Sequence, residues 1–166
     1  MNVFVTSAIA AIVPLIIGFI YYHPKVLGGA WMKTTGLTEE SMKGGNMAVI
    51  FGLTLLFSYM MALFLGISGA IIHQAGVNSL LAEGGPELIQ QGKDFLTAAG
   101  TRYNTFKHGA FHGIIAALFF ALPVLGINAL FERKSGKYIF IHLGYWVITL
   151  ALMGGVMCQF TKVGYL

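Results

Sequence analysis

Charged residues are scarce in this sequence, and long segments contain none. Asp, Glu, Lys and Arg make up 10% of the 166 residues, whereas soluble domains carry about 25%. A helix needs about 20 predominantly apolar residues to cross the hydrocarbon core of a bilayer. The uncharged segments are long enough for this, at 1–24, 44–82, 108–131 and 138–161. The sequence therefore predicts an all-α integral membrane protein.

Each uncharged segment predicts one transmembrane helix, so residues 1–166 are expected to form a single four-helix transmembrane domain. We call these helices the first to fourth spans and their connections loops 1 to 3. The first span has no basic residue before Lys25, so we expect a retained helix and not a cleaved signal peptide. The four spans are predicted at about 2–22, 47–73, 108–131 and 138–160.

Cysteine is also nearly absent, and this excludes several kinds of chemistry. Cys158 is the single cysteine, so the chain has no internal disulfide and no CxxC pair. Four-helix thiol oxidases linked to quinones are therefore excluded. The spans contain no Asp, Glu, Lys or Arg, whereas ion-coupled transporters usually place such residues within theirs. We expect no enzyme active site.

The few charges lie at the predicted membrane boundaries. The net charge of +4 follows from these Lys and Arg residues, so it implies no nucleic-acid partner. Loops 1 and 3 carry more of the basic residues than loop 2 and the C-terminal end, which favours a cytoplasmic location for loops 1 and 3. Aromatic residues near the span ends are expected to anchor them at the headgroups. These anchors are Tyr21, Tyr22, Trp31, Tyr103 and Trp146.

Loops 1 and 2 each contain signals for a short helix at the membrane interface. In loop 1, Thr38 suits the N-cap, with Glu39 and Glu40 in the first turn and an end at Gly44–Gly45. In loop 2, predicted over about 74–107, Pro86 opens a helix that Gly100 closes. The amphipathic pattern of this second helix predicts that it lies flat on the membrane surface.

Two spans carry small residues at four-residue spacing, which permits close helix contact in lipid. The second-span ladder and the third-span ladder are expected to pack against each other, although the pattern equally allows a contact with another subunit. Pro14 and Pro123 are expected to interrupt their helices, because proline cannot donate to the carbonyl four residues earlier. The two ladders are Ser58, Ala62, Gly66 and Ala70, and Gly109, Gly113, Ala117 and Ala121.

Three histidines fall on the loop 2 side of the predicted membrane domain. His108 and His112 are four residues apart and share a helix face, and His73 lies at the end of the second span. Three imidazoles could hold a transition metal or a haem. The alternative is that these side chains lie at the wet interface or hydrogen-bond across helices. The second interpretation requires no cofactor, and we expect none.

Two segments resemble a widespread bacterial membrane family, the one called domain of unknown function 1761. The segment GFIYYHPKVLGGAWMKTTGLTEES is similar to the region after the family's first helix, and 108–157 is similar to its second half. The resemblance implies a small, multi-pass protein of the bacterial inner membrane and no particular chemistry. Loop 2, over about 76–103, is longer than the family pattern. The residues that carry the resemblance are His23, Pro24, Gly28, Trp31, His108, His112, Asn128, Glu132, Arg133, Gly144, Tyr145 and Trp146.

Three hypotheses for function follow from these patterns. The first is a structural or accessory membrane protein, either a homo-oligomer or a minor subunit of a larger membrane complex. The second is a small oligomeric transporter or channel, with a pathway near Pro123, Asn128 and the histidines. The third is a membrane redox protein that binds a metal or haem through its histidines. The small size and the shortage of catalytic residue types favour the first.

Overall fold

The described part of the chain consists of helices joined by short turns and contains no strand, which confirms the predicted all-α fold. The structure is a computed structural model. It describes the backbone of residues 1–42, 46–99 and 102–161, and the side chains in these ranges except those at 39, 42, 69–83 and 99. Four helical segments in this part are long and apolar enough to cross a membrane. The protein is therefore a multi-pass membrane protein.

The observed spans agree with the predicted ones, with shifts at their ends. The first span comprises α1 (Val3–Ala10) and α2 (Val13–Tyr21), and the second is the apolar part, Met47–Ser68, of α5 (Met47–Glu83). The third span comprises α7 (Phe106–Ala116), a π-helical turn (Ala117–Ala121) and α8 (Leu122–Phe131). The fourth span is α9 (Gly136–Phe160).

Both prolines within the spans lie close to an interruption, as predicted. In the first span, α1 ends at Ala10 and Pro14 is the second residue of α2. In the third span, Pro123 is the second residue of α8 and follows the π-helical turn directly. Because proline has no N–H to donate, the regular hydrogen-bond pattern cannot continue through either position.

Loop 1 contains the predicted helix and a further helix before it, which the sequence did not predict. A π-helical turn (Pro24–Gly28) leads into α3 (Gly29–Thr35), which ends at the left-handed Gly36. The predicted helix is α4 (Glu39–Met42). Its N-cap is Thr38, whose hydroxyl accepts from Ser41 N while Thr38 N donates to the Ser41 hydroxyl. The predicted end at Gly44–Gly45 lies outside the described residues.

Loop 2 begins later than predicted, because α5 continues as a helix to Glu83. The predicted second helix is present as α6 (Pro86–Ala99), and it packs against α5. Proline at the first helical position explains the start of α6, since the missing N–H would have no partner there. Its location on the membrane surface stays a prediction.

The fourth span is the centre of the fold, because it contacts each of the other three. Gly109 and Gly113 of the third span lie against the backbone of the fourth span at Gly154 and Leu150. The prediction that these glycines pack on the second span is therefore wrong. The turn over residues 132–135 joins the third and fourth spans directly, which makes them antiparallel neighbours.

The second-span ladder instead faces the first and fourth spans. Ser58 and Ala62 are fully buried, and Gly66 lies against Val3 and Met157. The side chain of Ala70 lies outside the described residues. In the rest of the third-span ladder, Ala117 is buried and Ala121 is half-buried. The small residues thus bring helices together as the pattern predicts, but with other partners.

The turn between the third and fourth spans depends on one non-glycine residue in a left-handed conformation. Arg133 has φ 55°, and the amides of Arg133 and Lys134 donate to the carbonyls of Leu130 and Ala129. This is a Schellman end, which satisfies carbonyls that a helix terminus leaves free. Ser135 then caps α9 by accepting from Tyr138 N. The two longest mutually packed spans are joined by this turn.

Replacing Gly113 by Ala should destabilise the protein. A Cβ at this position would overlap the Leu150 carbonyl of the fourth span, and backbone cannot give way as a flexible side chain can. We expect a loss of about 1–3 kcal/mol, seen as a lower melting temperature in detergent. Gly126→Ala in the same span is the control, because nothing lies within 4 Å of its Cβ position. An equal effect of both substitutions would contradict this packing.

Candidate functional site

The histidines form two groups at opposite ends of the fourth span. His108 and His112 lie beside the C-terminal end of the fourth span, together with Tyr103. His142 lies near its N-terminal end with Tyr22 and Tyr138, and His23 follows at the end of the first span. The two groups provide the candidate sites for chemistry in the described chain.

The first group is a set of three neighbouring rings at the start of the third span, with His108 and His112 edge to face. The ring centroids of His108 and His112 are 4.6 Å apart, and those of Tyr103 and His108 are 5.4 Å apart. The hydroxyl of Thr105 caps the helix by accepting from His108 N. The predicted shared face of the two histidines thus brings their imidazoles side by side.

The fourth span contacts the segment that carries these three rings. The Cys158 thiol donates to the Tyr103 carbonyl at 3.3 Å, and the Gln159 side-chain oxygen accepts from Phe106 N at 2.9 Å. The second contact satisfies an amide that a helix N-terminus leaves without an intrahelical partner. The position of the two imidazoles is therefore set by contacts between the third and fourth spans.

A three-ligand metal site is not formed by the described side chains. Among them, no group of three or more His, Cys, Asp or Glu residues could hold a metal ion. The side chain of His73 lies outside the described residues, so the predicted set of His73, His108 and His112 stays a prediction. What the structure brings together is a pair of imidazoles on one helix, which are nitrogen donors of the kind that zinc and copper accept.

The second group is an aromatic cluster that joins the first and fourth spans near loop 1. The Tyr22 hydroxyl lies 3.1 Å from His142 Nδ1. The ring centroid of Tyr22 is 5.2 Å from those of Trp31 and Tyr145, and Tyr138 lies 4.4 Å from His142. We call these five side chains the aromatic cluster.

The sequence pointed to only two members of this cluster, as membrane-interface anchors. Tyr22 and Trp31 are half-buried against protein. Tyr145 was named only as a residue of the family resemblance, and Tyr138 and His142 were not assigned to this group, although the spacing of four and three residues places all three on one helix face. Of the other predicted anchors, Tyr21 and Trp146 are half-buried and Tyr103 is exposed. An anchoring role for any of the five stays a prediction.

The aromatic cluster contains a hydrogen bond between a phenol and an imidazole. The Tyr22 phenol lies beside the imidazole of His142, with its hydroxyl 3.1 Å from Nδ1. It can exchange a hydrogen bond with His142 Nδ1. His142 Nε2 is buried and has no hydrogen-bond partner in the described part of the chain.

Further contacts indicate that the cluster joins helices. The Tyr145 hydroxyl donates to the Pro14 carbonyl at 2.9 Å, at the interruption of the first span. Gly144 leaves room for the Tyr21 hydroxyl, which a Cβ there would displace. Near the other ends of the same two spans, the Ser7 hydroxyl contacts the Met157 sulfur at 3.7 Å. These polar groups satisfy one another between helices, as buried polar groups in lipid must.

The hydrogen bond between Tyr22 and His142 can be tested by removing one hydroxyl. Tyr22→Phe should lower the free energy of unfolding by about 0.5–1.5 kcal/mol, the usual net contribution of such a bond. Tyr138→Phe is the matched control, because that hydroxyl makes no hydrogen bond in the described structure. Chemical unfolding in detergent measures both. If Tyr138→Phe cost as much as Tyr22→Phe, the hydrogen bond would not be the cause.

One of the comparisons with known proteins gives a match. No curated protein and no solved structure matches the chain. One family model does match, over residues 5–158, which is most of the sequence and includes both histidine groups. Its description is "Protein of unknown function (DUF1761)". The resemblance noted in the sequence is thereby confirmed, and the chain belongs to the DUF1761 family.

Proposed function

We propose that this protein has a structural or accessory role in the membrane, as a homo-oligomer or as a minor subunit of a larger membrane complex. The main support for the proposal is that polar side chains within the spans contact other helices. Ser7, Tyr145 and the Tyr22–His142 pair all contact other helices of the same chain. A transporter or enzyme would need such groups around a substrate.

The uneven burial of the four spans also supports this proposal. The fourth span is 39% buried within the chain, whereas the second and third are each 11% buried. The second and third spans therefore present most of their surface outward. In a membrane such a surface contacts lipid or another protein chain, and small residues or polar groups on it favour a protein contact.

The positions proposed for a transport pathway have little support. Pro123 and Asn128 are both exposed on the outer surface of the third span. They do not line a path between the helices of one chain. A pathway at these residues would have to form between subunits. The oligomeric state therefore has to be determined first for this hypothesis too.

We further propose that the protein lies in the bacterial inner membrane with loops 1 and 3 in the cytoplasm. Family membership supports the location, and the larger number of basic residues in loops 1 and 3 supports the orientation. The aromatic cluster would then lie at the cytoplasmic end of the spans, and the His108–His112 pair at the opposite end.

Mass spectrometry of the protein from its native membrane tests the accessory role. The complex is extracted in mild detergent that keeps subunits and metals bound. We expect a homo-oligomer or a stoichiometric foreign subunit. A detergent extract of the Gly113→Ala variant serves as a control. It shows which contacts with other subunits depend on the packing of the third span against the fourth. A monomer free of any partner at native abundance would contradict the proposal.

A second candidate function is metal binding by His108 and His112. The 4.6 Å separation of their ring centroids on one helix face favours it. Two imidazoles four residues apart can bind one zinc or copper ion, with the remaining positions filled by water or by a third side chain. This role would require His73 or another donor to complete a closed site.

Metal titration of purified protein distinguishes this candidate from a purely structural pair. If the pair binds metal, His112→Ala should remove most of the binding of Zn²⁺ or Cu²⁺ measured by calorimetry. His142→Ala is the control, because His142 lies in the other histidine group. Binding that is unchanged in His112→Ala would exclude the pair as the metal site.

A further inference from the structure

Asn128 is the amide side chain that stands out on the outer surface of the third span. It is exposed, and its side chain makes no hydrogen bond in the part of the chain that the structure describes. It lies one turn before the end of α8, within the apolar segment LPVLGINALF. Phe131 and Val124, on the same side of the helix, are 88% and 48% exposed.

The Asn128 amide has no hydrogen-bond partner among the described residues of its own chain. Leaving a polar group without a hydrogen bond in an apolar medium is unfavourable by about 1–3 kcal/mol in proteins. The apolar side chains beside Asn128 offer it none. A neighbouring chain with a polar group at the same depth would meet this need, and hydrogen bonds of this type drive helix association in membranes.

Charged groups directly after Asn128 point to the same side. Glu132 lies one turn further along, is exposed, and forms no ion pair in the described structure. Arg133 follows it in the left-handed turn and is also exposed. A carboxylate beside a guanidinium is complementary to the same arrangement rotated by a two-fold axis, since each charge then faces its opposite.

These observations favour a second copy of this chain over an unrelated partner. The Asn128 amide is both donor and acceptor, so two of them can bond to each other. Two copies inserted in the same orientation place this residue at the same depth. The Glu132 and Arg133 charges are likewise self-complementary across a two-fold axis. An unrelated chain would need all these features by coincidence.

We propose that two copies of this protein associate through the Asn128 side of their third spans, with the two amides hydrogen-bonded and Glu132 facing Arg133 of the second copy. We call the residues Val124, Asn128, Phe131 and Glu132 the Asn128 face. This inference rests on the proposed role as an oligomer and names its partner and its contact.

Cysteine cross-linking in native lipid tests this proposal. Cys158 is the single cysteine, so Cys158→Ser gives a background without thiols and keeps a donor for the Tyr103 carbonyl. In that background, Val124→Cys should form a disulfide-linked dimer on mild oxidation. Leu130→Cys is the control, since Leu130 is 70% exposed and lies on the side of α8 opposite Asn128. It should stay monomeric.

The role of the amide is tested by substitution at position 128. Asn128→Leu should weaken dimerisation in lipid about fivefold to thirtyfold, as measured by energy transfer between labelled copies. Asn128→Gln, which keeps an amide, should restore part of the association. Because the side chain is exposed and unpaired, the helix content and melting temperature of the monomer should change little in either variant.

Several results would overturn the inference. Equal cross-linking at positions 124 and 130 would indicate random collision, and dimerisation that is unaffected by Asn128→Leu would show that the amide is not the contact. A foreign subunit released by Asn128→Leu, without self-cross-linking, would show that another chain occupies this face. If mass spectrometry finds an oligomer that forms through a different surface, the proposed function stands and this inference fails.

Discussion

The close approach of two backbones at Gly109 and Gly113 is the contact on which the rest of the structure depends. No side chain separates the third and fourth spans there, so van der Waals packing in lipid is as tight as it can be. The same contact aligns Phe106 and Tyr103 with the end of the fourth span and thereby places His108 and His112. With the turn at Arg133, it makes the third and fourth spans one rigid hairpin on which the first and second spans assemble.

The architecture could be predicted from the sequence because lipid imposes strict rules on it. Charge-free apolar segments of about 20 residues predict spans. Thr38 and Pro86 mark helix starts through a hydroxyl cap and a missing N–H. These features depend on near neighbours in the chain. The predicted number of spans, the interruptions at Pro14 and Pro123, and the helix after Pro86 were therefore confirmed.

The choice of packing partners could not be predicted in the same way. A ladder of small residues shows that a helix can approach something closely, but it does not say what. Gly109 and Gly113 fit the second span as well as the fourth on pattern alone, and the short turn at Arg133 decides between them. The aromatic cluster was missed for a related reason, since Tyr22 and His142 are brought together only by the tertiary fold. The end of α5 was misjudged because polar residues such as Gln74 are compatible with a helix that has left the membrane.

The length of α5 has a consequence for the surroundings of the protein. A helix of 37 residues measures about 55 Å, whereas the hydrocarbon core is about 30 Å thick. About 25 Å of continuous helix must therefore extend into the headgroups and the aqueous phase, with α6 folded back against it. A continuous helix thus extends outside the bilayer, where it is accessible to water-soluble proteins and proteases.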